Sequence, residues 1–199
     1  KDKNLPITYV LSLTAVLITN YYIGFMICIF TVVYFIYKLL LEINSISEIK
    51  KYKKSIFNYV FFSLLSAGIS CFLLLPTLFS LQGGKAKFSL STLGFKENYS
   101  FIDVFTKLYT NNVRVEQLIS GLPNIFSGVF VIVMVMLYFL NHKVKAKEKL
   151  LNIGVLSIFL ISFHINTFNL IWHGFNPPAW FPYRYSFMFS FVLIFIAYD

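Results

Sequence analysis

IGFMICIFTVVYFIYKLLL, from Ile23 to Leu41, decides the fold class, because it is almost unbroken apolar side chain with Lys38 as its single charge. A helix of about 20 such residues crosses the hydrocarbon core of a bilayer, whereas a helix in a soluble domain needs only an apolar stripe. Working outward, five further apolar runs can be read. They are Leu5 to Thr19, Ser55 to Leu81, Asn124 to Leu140, Leu150 to Trp172 and Tyr183 to Tyr198. The chain is 58% hydrophobic and only 13% charged, with a mean hydropathy of +0.73, which is beyond the apolar share of a soluble domain. The expectation is an all-α, polytopic transmembrane helical bundle of about six spans. It forms one transmembrane domain over residues 1–199 and reads as a piece of a longer polytopic protein.

The net charge of +9 would suggest a nucleic-acid partner if the basic residues formed a stripe on a soluble domain. Instead they gather between apolar runs: Lys1 and Lys3; Lys50, Lys51, Lys53 and Lys54; and Lys143, Lys145, Lys147 and Lys149. That pattern places these three segments in the cytoplasm, predicts membrane lipids and no nucleic acid as partners, and leaves residues 82–123 as an extracytoplasmic loop. Lys85, Lys87, Lys96, Lys107 and Arg114 do not upset this, since long loops translocate largely regardless of charge. Asn20, Tyr21 and Tyr22 make an interfacial turn between the first two spans.

Inside the outer loop, Phe101, Phe105 and Leu108 recur at helical spacing while Asp103, Thr106 and Lys107 face elsewhere, predicting a short amphipathic helix on the membrane surface. Ser100 and Asp103 would cap it, and Gly121, Leu122 and Pro123 would restart the chain as the fourth span. Gly83 and Gly84 mark a turn, and Asn98 begins a sequon of a kind that arises often by chance.

Chemistry concentrates in WHGFNPPAWFPYRYSFMFSF, Trp172 to Phe191, where two tryptophans, three prolines and one arginine separate two apolar runs. Non-helical, charged backbone at a membrane boundary is where polytopic proteins place their sites. Arg184, on a backbone stiffened by Pro177, Pro178 and Pro182, offers a planar fork of donors suited to phosphate; the alternative is an arginine that snorkels to headgroups. Asn166, Asn169 and His173 fall near one face of the fifth span, as a polar stripe that either lines a pocket or bonds between helices. Asp103, Glu97 and Glu116 are the outer carboxylates, with Asp103 the weak candidate for a catalytic base and Glu116 suited to a surface ion pair with Arg114. Cys28 and Cys71 lie in apolar runs, so neither a disulfide nor a metal site is indicated. No nucleotide, dinucleotide or zinc motif is present, and no cofactor is evident.

Three blocks carry a family likeness: NYYIGF at Asn20 to Phe25, FIDVFTKLYT with GLPNIFSG between Phe101 and Gly128, and HGFNPPAWFPYRYSF at His173 to Phe187. With these the chain resembles the YfhO-like bacterial membrane proteins, which are similar to the GT-C-type glycosyltransferases. The resemblance implies a multi-pass protein of the bacterial cell membrane. It would take a sugar from a polyprenyl-phosphate donor on the outer face and pass it to a glycopolymer acceptor such as teichoic acid. It places Arg184 at the donor phosphate, with His173, Asn169, Asn166, Tyr183 and Tyr22 as pocket-lining candidates. Such enzymes usually carry an acidic residue in their first outer loop; the turn Asn20 to Tyr22 has none, so that residue is expected upstream of Lys1, or else this piece is catalytically silent. A transporter or lipid flippase is the alternative, and it should show inverted halves or interrupted spans.

Overall fold

A computed structural model describes residues 5–82, 100–109, 119, 121–178 and 180–198 of the protein. The expectations for Lys1, Lys3, Gly83, Gly84, Lys85, Lys87, Lys96, Glu97, Asn98, Arg114 and Glu116 lie outside them. The described residues are helical, without a strand. The chain divides into two compact units, Lys1–Lys87 and Phe88–Asp199.

In the first unit, α1 (Leu5–Thr19) is followed after one residue by α2 (Tyr21–Glu42). Asn20 makes that junction possible: it is extended, and its side-chain oxygen accepts from the N–H groups of Tyr22 and Ile23 at 3.1 and 3.0 Å, an N-cap that holds two of the helix's orphan donors. A 3₁₀ segment, Ile46–Tyr52, leads into α3 (Lys53–Gln82). Helix α1 packs against both α2 and α3.

The α1–α3 seam is built from small hydroxyls. Ser66 and Ser70 are fully buried, the Ser66 hydroxyl reaches the Phe62 carbonyl at 2.9 Å, and Tyr9 and Ser63 share a 2.8 Å bond across the helices. Small residues allow close backbone approach where lipid offers no hydrophobic drive to association. Between α2 and α3, the Tyr59 phenol donates to Thr31 at 3.1 Å while its ring stacks on Phe35 at 4.3 Å. Pro76 lies inside α3, and one residue later the Thr77 hydroxyl donates to the Leu73 carbonyl at 2.8 Å. Outward from this seam α3 presents Phe57, Leu64, Phe72 and Phe79, each about two-thirds exposed, an apolar surface that water would not tolerate and lipid does.

The second unit opens with α4 (Phe101–Tyr109), a helix where the sequence predicts one, which packs on α5 (Val129–Leu140). Two details differ from expectation. Neither the Ser100 hydroxyl nor the Asp103 carboxylate bonds to a described residue; the first turn closes through the Asp103 N–H and the Ser100 carbonyl at 3.0 Å. The buried positions are Val104 and Lys107, while Ile102, Phe105 and Tyr109 face outward, because α4 turns the Val104 side inward when it docks. The fourth apolar run is also not helical from Asn124. Residues 121–128 are irregular, with Gly121, Pro123 and Ile125 buried alternately, since proline holds its predecessor extended and Gly128, at φ 94°, turns the chain into α5.

After a turn at residues 141–145, α6 (Ala146–His164) runs to Ile165, which is extended (φ −99°, ψ 121°), and α7 (Asn166–Trp172) resumes. The fifth apolar run is therefore two helices with a break. A loop, residues 173–185, leads to α8 (Ser186–Tyr198), which starts three residues later than the apolar run suggested. α8 packs on α5 and α6. At the lysine-rich turn, Tyr138 receives a hydrogen bond from the Asn152 amide at 2.8 Å and donates to Glu148 at 3.2 Å.

By length and composition, α2 and the helical stretch Glu48–Ser80 are sufficient to cross a membrane; Pro6–Thr19, Val129–Leu140 and Ser186–Tyr198 are shorter apolar helices. The tight approach of α1 and α2 gives a direct test. A Cβ at Gly24 would meet Leu17 Cδ2 at 3.0 Å and Leu17 Cα at 3.2 Å. Gly24→Val is expected to destabilise the first unit by about 1–3 kcal/mol through overpacking. Gly24→Ala should cost less, as read by thermal unfolding in detergent.

Candidate functional site

The site grows from the break at Ile165. An extended residue swings the following N–H out of the helix ladder, and the Ser162 carbonyl accepts instead from the Tyr185 phenol at 2.8 Å. Tyr185 is fully buried, stacked face to face with Trp172 at 4.8 Å and an interplanar angle of 8°, and with Phe163 at 5.1 Å and 19°. Phe159 completes the cluster, stacked against Trp172 at 5.3 Å and Tyr185 at 6.4 Å. One tyrosine therefore joins α6, α7 and the start of α8 through both its hydroxyl and its ring.

Helix α7 ends in a Schellman motif. The Phe175 N–H returns to the Leu170 carbonyl at 2.7 Å and the Gly174 N–H to Ile171 at 3.2 Å, with Gly174 left-handed at φ 62°. His173 is thereby fixed as the cap residue, 1% exposed, its ring edge-on to Tyr185. Its Nδ1 lies 2.9 Å from the Asn169 backbone carbonyl, and a carbonyl only accepts, so the proton sits on Nδ1. Burial lowers the pKa of His173 below the ordinary 6.5. The Asn169 carbonyl acts in the opposite direction, and the charge of Arg184 lowers the pKa again. His173 is therefore neutral at pH 7. The stability linked to it is present above pH 6.5 and lost as the pH falls through its lowered folded value.

Beyond the helix end, Phe175 (φ 63°) and Phe181 (φ 52°) both adopt the left-handed region, rare for bulky residues, and Phe181 does so directly before Pro182, where extended backbone is favoured. Arg184 braces this turn. Its Nη2 donates to the Trp180 carbonyl at 3.2 Å and its guanidinium lies 5.7 Å from the Phe181 ring centre. The arginine is half-buried, and Phe175, Trp180 and Phe181 are exposed around the loop.

Of the residues singled out in sequence, Asn169, His173 and Arg184 come together here, with Asn166 at the first turn of α7 and the Tyr183 ring edge-on to Phe163 at 6.0 Å. Asn169 is buried, and its Oδ1 meets no donor among the described residues. Tyr22 belongs to the first unit, its ring edge-on to Tyr21 at 6.5 Å. Asp103 is exposed on α4, its carboxylate bonded to no described residue. Sequence reading passed over Tyr185, Trp172 and Ser162, although the density of aromatics on both sides of the proline segment was the available signal.

The keystone role of Tyr185 is testable. Tyr185→Phe keeps the ring stack and removes the donor to Ser162, so it should lower stability by about 1 kcal/mol, measured by thermal unfolding. Tyr185→Ala, which also removes the stack, should cost more.

No curated protein and no solved structure matches the chain. A family model described as Bacterial membrane protein YfhO matches residues 2–199, and with that coverage the chain belongs to the YfhO family of bacterial membrane proteins.

Proposed function

We propose that this chain is, or forms part of, a membrane-embedded glycosyltransferase that moves a sugar from a polyprenyl-phosphate donor to a cell-envelope glycopolymer such as teichoic acid. The observation that supports the reading is the braced guanidinium of Arg184, held in a strained, proline-rich loop, with its charge acting on a buried neutral histidine. As the sugar leaves, its bond to the phosphate oxygen breaks and negative charge grows on the departing phosphate. A cation fixed in advance stabilises that charge without reorganising. Asp103 is the weaker candidate for a base, and the polyprenyl-phosphate sugar, the glycopolymer and membrane lipids are the proposed partners.

The membrane arrangement proposed with this function has six crossings, with the lysine-rich segments inside and residues 82–123 outside. Helix α5 alone rises about 18 Å against a hydrocarbon core of about 30 Å, but the irregular stretch before it extends its reach, since extended backbone adds about 3.3 Å per residue. In this arrangement, cysteines replacing Lys51 or Lys145 should react with membrane-impermeant maleimide only after the membrane is opened. Labelling of either in intact cells would overturn the orientation.

A transporter or lipid flippase has one specific observation in its favour, the interruption of the fifth run at Ile165. Movement of a fluorescent lipid in proteoliposomes without any sugar donor would favour it over transfer chemistry.

For the enzyme, Arg184→Ala should lose roughly 100-fold or more of transfer activity at equal membrane expression, while Arg184→Lys retains part of it because the charge survives and the planar fork does not. The assay follows sugar passing from a radiolabelled polyprenyl-phosphate donor into acceptor. Near-normal turnover of Arg184→Ala would return the arginine to bracing the loop.

A further inference from the structure

The two lysine-rich segments look alike in sequence but are used differently. In the second unit Lys149 is tied down, its Nζ donating to the Phe139 carbonyl at 2.8 Å, one residue on from the Glu148 that Tyr138 bonds. In the first unit Lys50, Lys51, Lys53 and Lys54 are all exposed, and among the described residues none of them forms an ion pair. The neighbouring carboxylate, Glu48, accepts instead from the Asn44 N–H at 3.0 Å. Lys50 and Lys53, Lys51 and Lys54, and Lys50 and Lys54 stand three or four residues apart along one helical run, where like charges repel. The fold alone disfavours the cluster.

The four lysines also sit at a boundary. Helix α3 runs parallel to α1, with Tyr9 on Ser63 and Thr14 on Ser66, and therefore antiparallel to α2, which folds back on α1 and meets α3 where Phe35 stacks on Tyr59. Counted from that stack, Leu40 on α2 and Lys54 on α3 each lie about 7.5 Å toward the connecting segment. The charges begin where the apolar surface ends: Ile36 and Leu40 on α2 and Phe57 and Phe61 on α3 are exposed within about two turns of them along the helix axes. A soluble polyanion would match the charges and leave that apolar surface bare. A phospholipid of net negative charge matches both, with its phosphate against the ammonium groups and its acyl chains on the exposed side chains. We infer that Lys50, Lys51, Lys53 and Lys54 form a binding surface that selects anionic phospholipids from the zwitterionic ones around the first unit. This surface does not depend on the glycosyltransferase reading.

The test titrates the full chain in a neutral detergent with fluorescent phosphatidylglycerol and phosphatidylcholine of the same acyl chains. Detergent has no leaflets, so any change of topology on removing lysines does not intrude. The wild type should bind phosphatidylglycerol about 5-fold more tightly at about 0.1 M salt, the step expected of one lysine at an anionic headgroup, and the preference should shrink at about 0.5 M. The combined variant Lys50→Gln, Lys51→Gln, Lys53→Gln and Lys54→Gln should bind phosphatidylcholine as the wild type does and lose the preference. It should melt at the same temperature or higher, because the repulsion goes with the charges. Arginine at the same four positions should keep the preference, and so should Lys143→Gln with Lys145→Gln in the second unit. No preference in the wild type, an unchanged one in the glutamine variant, an equal loss in the Lys143 and Lys145 variant, or a marked drop in the melting temperature of the glutamine variant would each overturn the inference. Tighter binding of RNA or polyglutamate than of phosphatidylglycerol would also overturn it, and would assign the lysines to a soluble partner.

Discussion

The second unit is organised around Tyr185, whose phenol donates to the Ser162 carbonyl and whose ring stacks on Trp172 and Phe163. A helix that stops leaves backbone groups without intrahelical partners, and where they are buried those groups need another donor or acceptor. The extended Ile165 stops α6, and Tyr185 provides the donor where the ladder fails. Its ring then stacks between Trp172 and Phe163, which fixes the angle at which α7 leaves the break and the depth at which the loop returns to α8. The placement of His173 at the end of α7 and of Arg184 beside Tyr185 follows from that single anchor. Moving the anchor would move the charge.

The first unit solves a different problem by different means. Its helices are continuous, so the need is not to satisfy backbone but to bring helices together in a solvent as apolar as their own side chains. Serines at 63, 66 and 70 repeat on the α3 face turned toward α1, and their hydroxyls bond within the helix or across to it. Gly24 does the same for α1 and α2 by leaving room for Leu17. The large residues, Phe57, Phe72 and Phe79 among them, are left on the outside, the reverse of a soluble core, where they would be the first to be buried.

Where the apolar runs had clear ends, sequence and structure agree: α1 occupies Leu5–Thr19 as read, because Asn20 both ends one helix and caps the next. The break at Ile165 was illegible. Isoleucine is as apolar as its neighbours, no glycine or proline marks the spot, and the donor that takes up the freed carbonyl is a tyrosine twenty residues away. The late start of α5 was legible in principle, through Pro123 and Gly128, but the apolar run outweighed these local signals. Ser100 failed as a cap for the opposite reason, a local motif without the geometry to use it. At the site, Arg184, His173 and Asn169 stood out as polar residues in an apolar context, whereas Tyr185 and Trp172 looked like the interfacial aromatics that any membrane protein carries.

Strain in the loop explains why the arginine has partners of its own. Phe175 and Phe181 hold left-handed conformations that bulky side chains avoid, and such conformations persist only where the surroundings over-determine them. At Phe175 the Schellman bonds of α7 do this; at Phe181 the Arg184 guanidinium does, reaching the Trp180 carbonyl and lying against the Phe181 ring. The brace fixes the position of the charge, and a cation fixed in advance is what the proposed transfer chemistry would call for, because a mobile one must first be oriented. The strain at Phe181 and the fixed position of Arg184 are one feature: the bend of the loop brings the Trp180 carbonyl and the Phe181 ring to the guanidinium, and the guanidinium in turn holds the bend.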